Sequence, residues 1–225
     1  PRYGVINERR HQLHEVIRLS GMNLVVNDVD MPLIIKVASI PKERMQVYFI
    51  DNEEYFKRKA VFTDEDDELF EDNDERAIFF AKGVVETVKK LNWAPDIIHV
   101  HGWMASLLPL YLREFYKEEP LFTESKIVTS LYSNGFEGEL SSDLANKIKF
   151  DLSENDKIAT VKIPNHANIL KSAIENSDAI IQGSETISEE LSSFIEEKGM
   201  PVLEYESENL KESYLNFYAD LLSIN

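Results

Sequence analysis

Two histidines and a tryptophan lie close together in the segment His99-Val100-His101-Gly102-Trp103. His99 and His101 are two positions apart, so in a strand both imidazoles lie on the same face. Such a pair could bind a metal ion, but a metal site needs a third protein ligand and no H-x-E or H-E-x-x-H pattern is nearby, so we predict no metal. Gly102 permits close backbone approach, and the Trp103 ring could stack on a sugar or a base. The alternative is that Gly102 forms a turn and Trp103 belongs to the core.

Polar residues follow the next apolar run, in the stretch SLYSNGFEG from Ser130 to Gly138. Its turn-forming residues predict a loop after a strand. Tyr132, Ser133, Asn134 and Glu137 carry hydroxyl, amide and carboxylate groups that could hydrogen-bond the hydroxyls of a polyol. The same side chains could equally form a solvated loop, and the residues by themselves leave both alternatives open.

Two further segments carry weaker signals that favour structural roles. The stretch from Gly183 to Glu189 places hydroxyl residues at a helix start, where Thr186 and Glu189 match a capping box. The acidic stretch TDEDDELFEDNDE has carboxylates at several positions of a calcium loop, but Leu69 occupies the sixth position, where glycine is required. We therefore expect a capped helix and a solvated acidic loop.

The composition argues against several classes of protein. The 225 residues include 24 Lys and Arg against 41 Asp and Glu, which gives a formal net charge of −17. Because such a field repels a phosphate backbone or an anionic lipid surface, we expect no nucleic-acid and no membrane partner. The chain has no Cys, no apolar run near the roughly 20 residues of a membrane span, and no Gly-rich phosphate loop among its 8 Gly. We therefore predict a cytoplasmic protein.

Alternating apolar strands and amphipathic helices predict how these residues are positioned. The apolar runs are short and nearly continuous, which is typical of strands in a parallel sheet that helices cover on both faces. We therefore predict an α/β fold with a doubly wound parallel sheet, in which ligands bind beyond the carboxyl ends of the strands. The predicted strands are residues 33–40, 46–50, 96–101, 127–132, 179–183 and 201–205. The predicted helices are residues 13–20 before Gly21, 75–91 with Asp72 as cap, a Leu-rich helix after Gly102, then 168–176 and 210–222.

Three motifs in these segments are specific when taken together. They are Val47-Tyr48-Phe49-Ile50-Asp51-Asn52-Glu53-Glu54-Tyr55-Phe56, then Asp72-Asn73-Asp74-Glu75-Arg76 followed by Phe79-Phe80, and Trp93-x-Pro95-Asp96-Ile97-Ile98-His99-x-His101-x-Trp103. They resemble the patterns V-x-F-x-D-x-x-x-Y-F, D-N-x-x-R-F-x-F-F and W-x-P-D-x-x-H-x-H-D-W of bacterial glycogen synthases and plant starch synthases, the glycosyltransferase family five enzymes. The similarity is strongest over residues 47–129 and weaker over 1–3 and 169–191.

This resemblance implies a fold, an activity and a site. Enzymes of the family transfer glucose from a nucleotide sugar, usually ADP-glucose in bacteria, to the nonreducing end of an α-1,4-glucan. The implied fold is the three-layer, Rossmann-like N-terminal domain of a GT-B glycosyltransferase, and the implied partners are an α-glucan acceptor and ADP-glucose. The resemblance implies no cofactor and assigns no catalytic residue. The residues that it places at the sugar or glucan site are His101, Gly102, Trp103, Tyr132, Ser133 and Asn134.

Two positions of the implied site depart from the family pattern. The family strand after the histidine signature ends in T-I-H-N, whose His lies at the sugar site, whereas this chain has Ser130-Leu131-Tyr132-Ser133. The Asp of H-D-W is replaced by Gly102. The polar groups offered to a sugar therefore differ at both positions.

The resemblance also sets expectations about the extent of the domain. We expect residues 1–225 to form a single domain, with a C-terminal strand and crossover helix in 196–225. In the family, a first strand with a K-x-G-G-L loop would come before Pro1, and a second Rossmann-like domain holds the nucleotide and steadies the departing diphosphate. We therefore expect residues to precede Pro1 in the natural protein.

The same comparison with the family pattern limits the expected activity. Negative charge that develops on a diphosphate must be met by fixed cations or amide donors. We expect this chain alone to be weak or inactive in glucosyl transfer unless a homo-oligomer or a partner enzyme supplies the other half. The alternative is a non-catalytic glucan-binding or regulatory module that works with a partner enzyme, and a degenerate paralogue with neither activity is a third interpretation.

Overall fold

The chain folds as two units, Pro1–Asn92 and Trp93–Asn225, and each unit contains a four-stranded sheet. The computed structural model describes residues 1–152 and 156–223. Helices accompany the strands in both units, which confirms the predicted α/β class. Within the described ranges, no helix is long and apolar enough to cross a membrane.

The sheet of the first unit is antiparallel, and its longest strand, β3, pairs with the other three. Asn27 and Asp28 connect β2 to β3 with φ angles of 48° and 65°, as the tight turn of a two-residue hairpin requires. Alternate side chains of β3 are buried from Met31 to Val37, so one face of this strand belongs to the core. The strands are β1 His14–Glu15, β2 Met22–Val26, β3 Val29–Ile40 and β4 Met45–Asp51.

The helix predicted for residues 13–20 is wrong. The backbone N–H of Val16 donates to the carbonyl oxygen of Ile35 at 2.8 Å, and that of Gly21 donates to Leu33 at 3.0 Å. The segment therefore satisfies its backbone by pairing along β3 and in turns, not by helical hydrogen bonds. The spacing of its apolar residues matches a helix, but β3 provides hydrogen-bond partners for the backbone N–H groups of Val16 and Gly21.

Two helices follow β4 in the first unit, α1 Glu53–Phe56 and α2 Asn73–Leu91. Helix α1 begins at Asn52, whose side-chain oxygen accepts hydrogen bonds from two backbone N–H groups. Helix α2 contacts β2, β3 and β4 and carries buried apolar residues along its length. The predicted side-chain cap of α2 by Asp72 is wrong, because Asp72 instead forms two hydrogen bonds with the Arg58 guanidinium at 2.5 and 2.7 Å.

The guanidinium of Arg76, near the start of α2, is completely buried and holds the connection between the two helices. It donates to the carbonyl oxygens of Tyr55 and Val61, each at 2.8 Å, and to Oδ1 of Asn73 at 2.5 Å. The Phe70 ring lies 5.3 Å from the guanidinium carbon. Burial lowers the pKa of Arg76 to about 10, which leaves the group charged at neutral pH. The arginine of the D-N-D-E-R segment therefore stabilises the fold.

The sheet of the second unit is parallel, with strand order β5-β6-β7-β8. Its strands agree closely with the predicted ones, because short apolar runs mark strands buried on both faces. This sheet confirms the predicted parallel α/β arrangement. The strands are β5 Ile97–His101, β6 Lys126–Leu131, β7 Ala179–Gln182 and β8 Val202–Leu203.

Helices cover both faces of the parallel sheet and give this unit three layers. On one face, Leu131 and Ile180 pack with buried residues of α5 and α6. On the other face, Val128 and Ile181 pack with Leu221 and with partly buried aromatic residues of α7. The helices of this unit are α3 Leu108–Leu110, which continues into a π-helical turn at Tyr111–Phe115, then α4 Leu144–Asp151, α5 His166–Glu175, α6 Glu189–Lys198 and α7 Leu210–Ser223.

The helix that follows β7 starts later than its sequence suggests. Helix α6 begins at Glu189, and the side chain of Ser188 accepts the hydrogen bond from the backbone N–H of Leu191. The predicted capping box of Thr186 with Glu189 is therefore wrong. The C-terminal segment 196–225 contains the end of α6, β8 and α7, while its last two residues, 224 and 225, lie outside the described part of the chain.

Replacement of Arg76 tests the role of the buried guanidinium. We expect Arg76→Gln to lower the free energy of unfolding by about 3 kcal/mol, because it leaves buried acceptors without donors. The matched control is Lys57→Gln, which removes a cation that is 61% exposed and pairs with Glu53 at 3.0 Å. Its cost should stay below about 0.5 kcal/mol in the same urea titration. Equal effects of the two substitutions would show that Arg76 does not hold this region.

Candidate functional site

The carboxyl ends of three parallel strands bring together the residues that the sequence singles out. His101 is the last residue of β5 and pairs with Ser130 in β6. Tyr132 directly follows β6, and Gly183 directly follows β7. Because parallel strands end at the same edge of their sheet, these residues share one edge, where α/β sheets bind ligands.

The two histidines of β5 lie on the same face of the sheet, as their spacing predicts. Their ring centroids are 3.9 Å apart, with the ring planes inclined by 39°. His99 pairs with Val128, which belongs to the apolar cluster that α7 covers. Helix α7 therefore lies over this face, where His99 is partly buried, while His101 is exposed at the strand end.

Hydrogen bonds occupy both ring nitrogens of His99 and one of His101. Nε2 of His99 is 2.7 Å from Oγ of Ser130, and Nδ1 of His99 is 2.5 Å from the hydroxyl of Tyr218 on α7. Nδ1 of His101 is 2.7 Å from the hydroxyl of Tyr132. Nε2 of His101 is therefore the ring nitrogen left to contact a ligand at the exposed edge.

The surroundings of these four rings keep them neutral. Burial, with a smaller contribution from the charge of His101, lowers the pKa of His99 to about 3. Partial desolvation also lowers the pKa of His101, although the residue is exposed overall. Burial raises the pKa of Tyr218 to about 12, and burial likewise raises the pKa of Tyr132. At neutral pH the site therefore offers uncharged hydrogen-bonding groups.

Close packing fixes the position of Tyr132. A Cβ on Gly183 would lie 2.4 Å from a ring carbon of Tyr132, so only glycine allows the tyrosine ring to rest on this backbone. Beyond the ring, the backbone N–H of Ser133 donates to Oγ of Ser184 at 3.0 Å, which ties the loop after β6 to the loop after β7. Asn134 follows as an exposed residue of the same loop.

Gly102 and Trp103 play different parts in the site. Gly102 has φ 74° and ψ 160°, a backbone conformation that is essentially restricted to glycine. An aspartate at this position would therefore be strained. Trp103 is only 6% exposed, and its ring meets Phe136 edge to face at a centroid distance of 4.9 Å. Trp103 therefore packs against Phe136 of the loop that follows β6, and its ring exposes little surface on which a sugar could stack.

Two site residues were not found by sequence reasoning. Tyr218 reaches His99 from a helix more than a hundred residues further along the chain, and Ser184 lies after β7, in a stretch interpreted as a helix start. A signal for Tyr218 exists in retrospect, because Tyr214 and Tyr218 are four residues apart on the buried side of α7 and place two hydroxyls near the sheet.

The chemistry of this edge suits a neutral, hydroxyl-rich ligand. Its groups are imidazoles, phenols, serine hydroxyls and an amide, all of which exchange hydrogen bonds with alcohols without a net charge. Among residues 1–152 and 156–223, no cluster of three or more His, Asp or Glu side chains is arranged to hold a metal ion. The arrangement can bind and orient a sugar, and His101 provides a group that could exchange a proton with it.

Known proteins similar to this chain include glycogen synthases. A family model described as starch synthase catalytic domain matches residues 1–203. A glycogen synthase from Chlorobium limicola is 36% identical over 192 residues, which are 85% of this chain and 39% of that protein. A glycogen synthase from Chlorobium chlorochromatii is 42% identical over 139 residues, 59% of this chain and 27% of its own length. The chain thus spans about two fifths of the Chlorobium limicola relative.

A solved structure with a similar fold is the catalytic domain of starch synthase IV from Arabidopsis thaliana bound to ADP and acarbose. The TM-score is 0.69, and the similarity covers 91% of this chain and 42% of that one. At 17% sequence identity, this similarity shows the fold alone.

The low pKa of His99 predicts a pH dependence of stability. The neutral His99 ring costs the folded state no stability while the pH stays above 6.5, the ordinary pKa of histidine. As the pH falls below that value, His99 of the unfolded chain binds a proton, whereas the folded ring, with a pKa of about 3, does not. The free energy of unfolding therefore decreases as the pH falls. We expect the free energy of unfolding of wild type to fall between pH 7 and pH 5. In His99→Gln this fall should be smaller by about 1–2 kcal/mol, because residue 99 no longer titrates. Burial also lowers the pKa of His101 and of His166. These two residues therefore add a pH dependence of the same sign to the stability of wild type and of His99→Gln.

Urea titrations at several pH values measure this slope. The control is His11→Gln, which removes an exposed histidine of the first unit under the same conditions. A slope for His99→Gln equal to that of wild type would contradict the neutral, buried state of His99.

Proposed function

Since the chain belongs to the starch synthase catalytic-domain family, we propose that it forms the glucan-facing half of an enzyme that transfers glucose from ADP-glucose to an α-1,4-glucan. The names of its glycogen synthase relatives support this proposal. The family match covers residues 1–203 and therefore includes residues of both units, which supports our proposal that these residues act as one functional domain. The proposal places this role in the cytoplasm, with which the cysteine-free composition is compatible.

The observation that carries the proposal is the His101–Tyr132 hydrogen bond at the carboxyl ends of β5 and β6. The 2.7 Å contact fixes both side chains at the edge where a parallel sheet binds ligands, and both are neutral at pH 7. A glucose unit presents hydroxyls in several directions, and such hydroxyls require neutral donors and acceptors. We assign direct sugar contacts to His101, Tyr132, Ser133 and Asn134, with Ser184 as an additional contact.

Gly102 and Trp103 shape this site without supplying polar contacts. Gly102 leaves open space, since nothing lies within 4 Å of the position of an added Cβ. Trp103 supports the loop through Phe136, which in turn contacts His166 edge to face at 5.4 Å. A sugar ring would therefore occupy the space above Gly102 and beside His101.

The neutral site also limits what the 225-residue chain can do alone. Departure of ADP from ADP-glucose places negative charge on a diphosphate, which fixed cations or amide dipoles must stabilise. The His, Tyr, Ser and Asn side chains assigned to the site are uncharged and include no cation, so we propose that the diphosphate is met by groups of another domain, a partner enzyme or a second copy of the chain. Transfer by the isolated chain would then be slow.

The second candidate function is glucan binding without transfer, in a module that regulates or recruits a partner enzyme. The same neutral edge favours it, because hydrogen bonds to sugar hydroxyls need no diphosphate contact. The two candidates differ in whether ADP-glucose is consumed when the rest of the enzyme is supplied.

Calorimetric titration with maltoheptaose tests the sugar site. We expect His101→Ala and Tyr132→Phe each to weaken binding about 10-fold, the loss of roughly 1.4 kcal/mol that one hydrogen bond provides. The control is His11→Ala, an exposed histidine of the other unit, which should bind like wild type. Unchanged affinity in both site variants would exclude this sheet edge as the glucan site.

A radiometric assay with ADP-glucose and glycogen tests the division of labour. We expect the 225-residue chain to bind glucan and to incorporate little or no label, because the gathered side chains are neutral and diphosphate departure requires cationic or amide stabilisation. Fast, sustained transfer by the monomeric chain would contradict the proposal that another domain or chain meets the diphosphate.

A further inference from the structure

The imidazole of His166, the first residue of α5, lies against the loop that follows β6. A Cβ on Gly135 would lie 2.5 Å from Cε1 of this ring and 2.6 Å from each ring nitrogen, so the loop can rest on the imidazole only because residue 135 is glycine. The Phe136 ring meets the imidazole edge to face at a centroid distance of 5.4 Å. The imidazole is therefore a direct neighbour of the loop that carries Ser133 and Asn134 of the candidate site.

Backbone contacts hold this loop and the start of α5 together. Glu139 pairs with Asn165 in an isolated antiparallel bridge, and the backbone N–H of Leu140 donates to the carbonyl oxygen of Pro164 at 3.0 Å. The side chain of Asn165 also caps the first turn of α5. Because Asn165 directly precedes His166, these contacts fix where the imidazole lies relative to the loop.

The two ring nitrogens of His166 differ from those of the other site histidines. His99 uses both of its ring nitrogens in hydrogen bonds, and His101 uses one. Within residues 1–152 and 156–223, neither ring nitrogen of His166 forms a hydrogen bond or an ion pair. Neither nitrogen is fully buried, and the residue as a whole is half-buried. Both nitrogens are therefore available to a ligand.

The surroundings of His166 favour an uncharged ligand with hydroxyl groups. Burial lowers the pKa of His166, so at pH 7 the ring is neutral and offers one N–H donor and one acceptor nitrogen. A sugar hydroxyl can serve either of them, because a hydroxyl both donates and accepts. Glu137 and Glu139 are exposed in the same loop, and their carboxylates disfavour an anion at this place.

We propose that His166 is a further ligand-binding residue of the site, which hydrogen-bonds a sugar hydroxyl through a ring nitrogen beside Ser133 and Asn134. The sugar nature of this ligand rests on the proposed function. Gly135 then contributes to the site as well, because its missing side chain leaves room for the imidazole. The site thereby extends from the ends of β5 and β6 to the start of α5.

Two substitutions of His166 separate a ligand contact from packing. His166→Phe keeps a flat ring that can pack against Gly135 and Phe136 but has no nitrogen. His166→Gln loses the ring but keeps a side-chain N–H and a carbonyl oxygen. In calorimetric titration with maltoheptaose, we expect His166→Phe to weaken binding about 3- to 10-fold, the loss of one hydrogen bond, and His166→Gln to bind within about 2-fold of wild type.

The matched controls are His11→Phe and His11→Gln, which make the same substitutions at an exposed histidine of the first unit. Both controls should bind maltoheptaose like wild type. Thermal unfolding of every variant shows whether it is folded at the temperature of the titration.

NMR spectroscopy of the ¹⁵N-histidine-labelled wild type keeps the test decisive if His166→Phe fails to fold. The chain has 5 His, and single substitutions assign their ring signals. Saturation with maltoheptaose should shift the ring nitrogen signals of His166 and His101, because a hydrogen bond to a sugar hydroxyl changes the shielding of the nitrogen. The signals of His11 and His14, both exposed in the first unit, should stay unchanged.

Two results would overturn the assignment of His166. One is that His166→Phe binds maltoheptaose like wild type, and the other is that the ring signals of His166 stay unchanged while those of His101 shift. Either result, together with weaker binding by His101→Ala, would leave the proposed function intact. If wild type binds no maltoheptaose, the proposed sugar site and the role of His166 both fail.

Discussion

The parallel pairing of β5 with β6, in which His101 lies opposite Ser130, places the two histidines of the candidate site beside Ser130 and Tyr132. In this register both histidines of β5 and Ser130 face the helix that carries Tyr218. A slip of one residue in β5 would move the histidines to the opposite face, away from that helix. The register is in turn held by the apolar clusters on both faces of the sheet, so the core and the site depend on the same pairing.

The fold provides hydrogen-bond partners for two polar groups, the imidazole of His99 and the guanidinium of Arg76. His99 has a partner for both ring nitrogens, and Arg76 has a partner for each of its three nitrogens, so none of these nitrogen atoms is buried without a hydrogen bond. Their surroundings have different consequences. His99 becomes a neutral bridge between Ser130 and Tyr218, whereas Arg76 stays charged and secures a loop. A chain of net charge −17 that gathers neutral groups at its sheet edge is better suited to sugar hydroxyls than to phosphate.

Short apolar runs and motif spacing predict the parallel sheet, its strands and the edge where His101 and Tyr132 meet, because these features depend on local periodicity and on the general geometry of α/β sheets. The helix at residues 13–20 and the Asp72 cap are wrong because partners distant in sequence, β3 and Arg58, provide stronger hydrogen bonds than the local pattern. The contact of Tyr218 with His99 depends on how α7 docks against β5. The spacing of Tyr214 and Tyr218 marks one side of α7, but it does not indicate which strand that side meets.

The most direct test of a neutral sugar site at the ends of β5, β6 and β7 is to map amide chemical-shift changes while maltoheptaose is added to the labelled 225-residue chain. The account predicts the largest changes at His101, Tyr132 and Ser184, with small changes at the other end of the same strands, near Ile97 and Lys126. Changes that cluster at that other end, or in the first unit, would contradict it.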